Sequence, residues 1–221
     1  MKRLVQVAGA VCMAALGCVG QAAAQPKGDR PIAVEFGGGV SVSNKSSGTY
    51  GLEVDYAVSQ KLTIFLEAGQ IANVVPGFIE GRAGVISAAL GGSAEVKDKA
   101  TYVDLGVKYM LMPLTATYQP YVGFGVGVAK VAKTSTFTIG GASVNEAQLL
   151  SQYGVQLGSD LAGSANKTNM AVLVGVTRSI GERIGVDLSY RYSRIFPKTD
   201  IIDGDAGINA SRIQVGFFVR F

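Results

Sequence analysis

The chain contains no histidine and no tryptophan, and only two cysteines among its 221 residues. Charged residues make up 16% of the chain and hydrophobic residues 48%. Average soluble domains carry roughly 25% charged residues. After residue 19, no stretch approaches the roughly 18 consecutive apolar residues that a membrane-spanning helix needs. This composition excludes a disordered chain and a helical membrane protein, so the apolar excess belongs to a large core or to a surface facing lipid.

The missing residue types also limit the chemistry that the chain can perform. Without histidine it lacks the usual general base near neutral pH and the commonest ligand for transition metals. The net charge of +4, which falls to +2 without Lys2 and Arg3 of the N-terminal segment, is too small to indicate a nucleic-acid partner. We therefore expect no catalytic residues, no cofactor and no metal site.

The N-terminus has the three parts of a secretory signal. Two basic residues precede an apolar stretch at 4–19, and small alanines follow at 22–24. We predict that residues 1–24 are cleaved, which leaves 25–221 as one β-barrel domain and removes both cysteines. A membrane anchor is an alternative, and so is lipoprotein processing at Cys18, because an Ala-Leu-Gly sequence precedes that cysteine.

Eight segments of the remaining chain alternate between bulky apolar residues and small or polar ones. Residues 122–128, for example, alternate valine or phenylalanine with glycine. This period of two is typical of strands, and lengths of about 9–12 residues suit tilted strands that cross a membrane. The predicted strands are 32–43, 50–58, 62–69, 101–111, 122–130, 170–178, 184–194 and 212–221.

The predicted connections alternate in length, which is typical of a membrane barrel with short turns at one end and long loops at the other. The long connections are 70–100, 131–167 and 195–210, with 44–47 as a shorter fourth. The short ones are 59–61, 112–119 and 180–183. Within the second long connection, residues 145–157 form either an irregular loop or a short helix with Leu149, Leu150 and Tyr153 on one face.

Charges are divided unequally between the two faces of these strands. The bulky apolar face carries only Lys130, Arg178 and Arg194, all at strand ends, where long basic side chains reach the interface. A charge at the bilayer centre costs roughly 2–4 kcal/mol, so the charged face must point inward. We predict a charge network in the lumen, with an ion pair between Glu35 and Arg220. Its ten members are Glu35, Glu53, Asp55, Glu67, Asp104, Lys108, Asp187, Arg191, Arg212 and Arg220.

Aromatic residues are predicted to form belts where the barrel meets the two membrane surfaces. Near the turns these are Tyr56, Tyr109, Tyr121 and Phe221. Near the loops they are Tyr50, Tyr190, Tyr192 and Phe196.

The final segment ends in Phe217, Val219 and the carboxyl-terminal Phe221. With this ending, residues 31–221 resemble the small bacterial outer-membrane barrels of the OmpA, OmpX and opacity-protein type. The resemblance implies an all-β fold, an eight-stranded antiparallel transmembrane barrel in the outer membrane of a Gram-negative bacterium. It also implies that the barrel-assembly machinery recognises Phe217, Val219 and Phe221, and that the periplasmic domain of some relatives is absent. A soluble β-sandwich remains the alternative fold.

The function that we expect is that of a structural or surface-interaction barrel, such as a surface antigen, with a largely plugged lumen. A porin-like narrow pore for small ions or apolar molecules is the alternative, and a membrane enzyme is a third possibility that the missing histidine disfavours. The expected partners are outer-membrane lipid and lipopolysaccharide, the assembly machinery, and an extracellular partner at the long loops. We expect a monomer.

Overall fold

The structure is a computed structural model that describes residues 31–42, 45–158, 161–197 and 207–221. The predicted signal peptide, residues 1–24, lies outside the described residues. The strands are β1 (Ile32–Val42), β2 (Ser46–Ala57), β3 (Leu62–Ile71), β4 (Gly92–Met110), β5 (Tyr118–Ile139), β6 (Ala142–Val144), β7 (Gly163–Ser179), β8 (Ile184–Ile195) and β9 (Ile208–Arg220). The helices are α1 (Gly77–Ala89) and α2 (Glu146–Tyr153).

Eight of the nine strands form a closed antiparallel barrel. Each pairs with its neighbour in chain order, β4 pairs with β5, and β1 closes the ring by pairing with β9. The short β6 lies outside this ring and pairs only with the tip of β5. Closure removes the unpaired sheet edges that lipid would not tolerate, and it confirms the predicted eight-stranded barrel.

One circuit of the paired strands returns to β9 ten residues further along the chain, from Ile208 to Phe218. Such a stagger tilts strands by roughly 35–45° from the barrel axis. The circuit passes only inward-facing residues, in the order Ile208, Ile195, Asn169, Gly127, Asp104, Glu67, Glu53, Glu35 and Phe218. The register therefore places four acidic residues side by side on β4, β3, β2 and β1.

The outer wall of the barrel is a band of exposed apolar side chains. Phe36, Phe124 and Val172 are 47–61% exposed, although they would form the core of a soluble protein. Tyr50, Tyr190 and Tyr192 lie at the loop end of this band, and their hydroxyls donate to Gln70, Ser211 and Asn209. An apolar band bounded by tyrosines is what lipid on the outside requires.

Three strands extend seven to nine residues beyond the predicted ends and convert parts of two predicted loops into sheet. The strand β4 begins at Gly92, β5 ends at Ile139 and β7 begins at Gly163. In these extensions the pattern reverses: Val96 and Phe137 face inward, while Lys97 and Thr138 face outward. The prediction followed the outward apolar face, which ends where water replaces lipid, so it ended these strands too early.

The extensions and both helices share a small apolar core at the loop end, which we name the cap core. Its buried members are Val75, Ile79, Ala83, Val96, Phe137, Val144, Leu149, Leu157 and Leu161. Leu149 is fully buried there, whereas Leu150 and Tyr153 on the same helix are exposed. The short helix is thus confirmed, but its three large residues do not share one buried face.

Local sequence explains where α2 begins and ends. The Asn145 side chain accepts a bond from the Gln148 backbone, and the Gln148 side chain accepts one from the Asn145 backbone, both at 3.0 Å. This reciprocal pair satisfies free N–H groups at the start of a helix. Gly154 ends the helix with φ of 65°, a left-handed conformation that glycine adopts without strain. Within the described residues, neither helix is long and apolar enough to cross a membrane.

Candidate functional site

The centre of the lumen holds a row of acidic residues bridged from the opposite wall. Glu53 and Glu67 face each other on β2 and β3, and both are buried. Arg191 reaches them from β8, and its Nη1 lies 2.9 Å from Glu53 Oε2 and 2.5 Å from Glu67 Oε2. Because neighbouring carboxylates repel, a guanidinium that contacts both offsets the repulsion between them.

A second bridge lies toward the turn end of the lumen. Lys108 on β4 forms an ion pair with Glu53, and its Nζ lies 3.0 Å from Asp55 Oδ2. The same ammonium lies 5.5 Å from the centre of the Phe65 ring and 5.2 Å from that of Tyr121. Lys108 is therefore enclosed by two carboxylates and two aromatic rings, an arrangement that compensates for its removal from water.

A third bridge lies toward the loop end. The Tyr102 hydroxyl donates to Glu67 Oε1 at 2.7 Å and accepts a bond from Arg212. The Arg212 guanidinium lies 4.4 Å from the centre of the Tyr102 ring and 3.5 Å from Glu67, and Nη2 donates to the Ser193 hydroxyl. These contacts join β3, β4, β8 and β9 across the lumen.

Two further acids of the network, Asp104 and Asp187, have neutral partners. Both oxygens of Asp104 accept bonds from the Asn169 amide at 2.9 Å. Asp187 accepts a bond from the Tyr121 hydroxyl at 3.1 Å. These donors add no positive charge, and Asp187 Oδ1 stays buried without a hydrogen bond from the described residues, so the lumen retains an excess of acidic groups.

The predicted ion pair between Glu35 and Arg220 is wrong. Arg220 donates to Ser179 and Gln119, both at 3.1 Å, and its guanidinium lies 4.8 Å from the centre of the Phe218 ring. Phe218 stands directly opposite Glu35 in the register of β1 and β9. The Phe218 ring packs over Gly185 and against Arg220 near the turn end, whereas the Glu35 carboxyl lies over Gly216, toward the loop end.

All ten residues of the predicted network lie on the lumen face, and none is exposed. Eight are buried, while Asp55 and Arg220 near the turn end are partly buried. A small gap remains beside the central bridge. Its lining consists of Glu35, Gly37, Gly51, Glu53, Glu67, Arg191 and Gln214.

Apolar and aromatic side chains close the lumen on both sides of the charged layer. The turn-end plug, as we name it, consists of Phe65, Met110, Tyr121, Ala171 and Leu173. The loop-end plug consists of Ile71, Val74, Ala100, Tyr102, Ala129, Val131, Ile195, Ile208 and Ala210. The lumen is thus filled in three layers, apolar, charged and apolar.

The plugs show what the sequence reasoning missed. Tyr121 was expected in the outer aromatic belt, but it is fully buried in the lumen, so that prediction is wrong. The alternation of the strand predicts the inward position of Tyr121, because its neighbour Val122 faces outward. Phe65 and Tyr102 also lie on the inward register, where small residues were expected to dominate.

One carboxylate cluster in the lumen already includes a cation. Glu35, Glu53 and Asp55 bring carboxylate oxygens within 4.8 Å of one another. The Lys108 ammonium already lies between Glu53 and Asp55 and supplies the positive charge there. What this arrangement does chemically is hold opposite walls of the barrel together.

Comparisons with known proteins agree with this geometry. The family model described as outer membrane protein beta-barrel domain matches residues 9–221. Neisserial surface protein A is 13% identical with a TM-score of 0.52, over 86% of this chain and 96% of that one. A major outer membrane protein from Thermus thermophilus is 11% identical with a TM-score of 0.52, over 86% and 99%. The outer membrane enzyme PagL is 13% identical with a TM-score of 0.41, over 83% and 97%.

The sequence matches no curated protein. At these identities, the similar structures show the fold alone.

Proposed function

The chain belongs to the outer membrane protein beta-barrel domain family, and on that premise we propose that it is a non-catalytic structural and surface-interaction barrel with a plugged lumen. The observation that carries this proposal is the bridge that Arg191 makes to Glu53 and Glu67 across the lumen. A conducting path would have to pass this bridge and both apolar plugs. Breaking a buried charge pair costs roughly 3–5 kcal/mol, so the closed lumen is the stable state.

The interaction role rests on the loop end of the molecule. The cap core holds α1, α2 and the long β4–β5 hairpin together as an ordered structure outside the apolar band. Ordered loops on a rigid scaffold are where proteins commonly carry binding surfaces. We propose that this cap binds an extracellular partner and that the outer wall of the barrel contacts lipid. We also propose that the chain is a monomer.

The absence of catalysis is also part of the proposal. Among the described residues, five of the six acids of the lumen network, all but Glu35, contact a lysine, arginine, tyrosine or asparagine, and the sequence supplies no histidine as a base. Expression in a Gram-negative host should leave the mass of lipid A unchanged. A modified lipid A that appears only when the protein is expressed would contradict this part.

Conductance in planar bilayers tests the plugged lumen. We expect the refolded chain to insert without stable openings, while the variant Phe65→Ala/Tyr121→Ala serves as the control with a thinned turn-end plug. Insertion is verified by migration on a detergent gel, where a folded barrel runs differently before and after boiling. Stable, ion-sized openings in most insertions of the unmodified chain would overturn the plugged lumen and favour the narrow-pore alternative.

Export and assembly complete the proposal. We infer that residues 1–24 direct export and are removed, and that Phe217, Val219 and Phe221 are recognised during assembly in the outer membrane. These three side chains project outward, and Phe217 and Phe221 are 66% and 64% exposed. An exposed, regularly spaced row at the end of a strand suits recognition by another protein.

A further inference from the structure

The outer face of the β4–β5 hairpin changes from apolar to basic over a short distance. Val103 and Val128 face each other at the loop end of the apolar band. Two residues further along both strands, Lys130 stands opposite Thr101, and Lys99 stands two residues beyond that. Lys99 and Lys130 are both exposed and face outward. The first charges beyond the lipid-facing band of this hairpin are therefore two lysines on adjacent strands.

The register sets the distance between these two lysines. Lys130 pairs with Thr101, and Lys99 pairs with Ala132, so the lysines occupy diagonal positions on one face. Diagonal neighbours in an antiparallel pair lie roughly 7–8 Å apart, within reach of long side chains. Two ammonium groups on flexible stems at this separation can contact the same anion from two sides.

The two lysines differ from the next lysine on the same face. The ammonium of Lys97 lies 2.9 Å from the Glu95 carboxylate. Within the part of the chain that the structure describes, neither Lys99 nor Lys130 forms an ion pair or a hydrogen bond. Their charge is thus available to a ligand, and their position at the edge of the band places that ligand at the level of lipid headgroups.

We propose that Lys99 and Lys130 bind a phosphate group of lipopolysaccharide, the phosphorylated glycolipid of the outer leaflet. The inference rests on the proposed function, because it needs the long loops to face the cell exterior. Lysine stems lie over the apolar edge while their ammonium groups reach the headgroup region. A basic residue near an anionic membrane surface contributes about fivefold in affinity, so the pair should contribute about twentyfold to thirtyfold.

The test is a titration of the refolded full-length chain with short-core lipopolysaccharide, with binding read from intrinsic tyrosine fluorescence or native mass spectrometry. The variant Lys99→Gln/Lys130→Gln should bind about twentyfold to thirtyfold more weakly. The matched control Lys97→Gln/Lys61→Gln removes the same charge, from a paired lysine and from the turn end, and should lose less than about threefold. Dephosphorylated glycolipid should bind the unmodified chain as weakly as it binds the double variant.

Several outcomes would overturn the inference. Equal affinity of the double variant and the control would remove the role of the two lysines. If dephosphorylated glycolipid binds as tightly as intact lipopolysaccharide, the phosphate is not what the lysines recognise. If phosphatidylglycerol binds as tightly, the ligand is not specifically the glycolipid. All variants are first verified as folded on a detergent gel. A chain that folds and stays closed in bilayers but shows no phosphate preference contradicts this inference alone, whereas a chain that never inserts contradicts the proposed function as well.

Discussion

Single residues that face the lumen carry more constraint than their exposed neighbours. Lys108 contacts two carboxylates and two aromatic rings, whereas Lys61, at the turn beside the same wall, is exposed. At an inward-facing strand position the neighbouring groups therefore restrict which residue is tolerated. At an exposed turn position mainly the length of the turn matters. Substitutions at matched inward and exposed positions measure this difference.

Replacing Lys108 with methionine should destabilise the barrel by about 3–5 kcal/mol, because Asp55 loses its cation and Glu53 keeps only Arg191. Urea-induced unfolding in lipid vesicles measures the change in the free energy of unfolding. The exposed Lys61→Met is the control and should change it by less than about 0.5 kcal/mol. The double variant Lys108→Met/Asp55→Leu should recover part of the loss. If it unfolds as easily as Lys108→Met alone, the unpaired aspartate is not the cause.

The seam between β1 and β9 is a place where only glycine fits. A Cβ atom at Gly39 would overlap the carbonyl of Ile213 and lie 2.8 Å from the Gln214 Cα, both backbone atoms that cannot rotate away. Gly39→Ala should therefore destabilise the barrel by about 1–3 kcal/mol in the same urea experiment. The control Gly48→Ala adds its methyl to open space. Equal effects of the two substitutions would contradict the close approach at the seam.

At the scale of elements, the cap and the barrel are stabilised by separate sets of contacts. The cap core lies among α1, α2 and the extended hairpin, while the lumen has its own plugs and bridges. A change in one set should therefore leave the other intact. The two adjacent leucines of α2 allow a direct test, because only one of them belongs to the cap core.

Leu149→Ala should loosen the cap by about 2–5 kcal/mol, because a fully buried leucine is lost from a small core. Limited proteolysis of the folded protein should then cut within residues 140–158, while the barrel still migrates as a folded species on a detergent gel. The neighbouring Leu150→Ala, which removes an exposed side chain, should leave the cutting rate unchanged. Loss of the folded gel species in Leu149→Ala would show that cap and barrel unfold together.

The sequence predicts elements well where lipid and lumen impose opposite chemistries on alternate residues. The eight strands follow from this alternation, and so does the inward direction of the charged residues. Beyond the apolar band, water replaces lipid on the outside of the barrel, so Val96 faces inward and Lys97 faces outward. The alternation of outward apolar and inward polar residues therefore no longer identifies the strand there. The alternation also does not predict which charged residues pair, because Arg191 reaches across the lumen and Phe218 stands opposite Glu35 in the strand register. Those partners depend on stagger and side-chain direction rather than on position along one strand.

At the scale of the whole molecule, the two ends of the barrel sequence are neighbours. The Phe221 backbone N–H donates to the Ile32 carbonyl at 2.8 Å, and β1 and β9 pair along nine residue positions. In a circular permutant, the two ends of the barrel sequence are joined and the chain begins instead in the 59–61 turn. Such a chain retains every strand pair. It differs in that Phe217, Val219 and Phe221 no longer stand at the carboxyl terminus.

Such a circular permutant should refold in detergent to the same heat-modifiable species, because closure of the ring does not depend on where the chain begins. In cells it should fail to reach the outer membrane, because the proposed assembly signal is no longer terminal. Fractionation of cells that express the original and the permuted chain measures this difference. Equal amounts of both in the outer membrane would contradict the role of the terminal aromatic row.

The pairing of β1 with β9 also affects the chain before it has folded. The first strand is synthesised early but has no partner on one edge until the last strand exists. Until then, the alternating apolar residues of every finished strand are exposed to water and to other chains, a state prone to aggregation. We therefore expect the yield of the closed barrel to depend more on aggregation before the last strand pairs than on the stability of the finished ring.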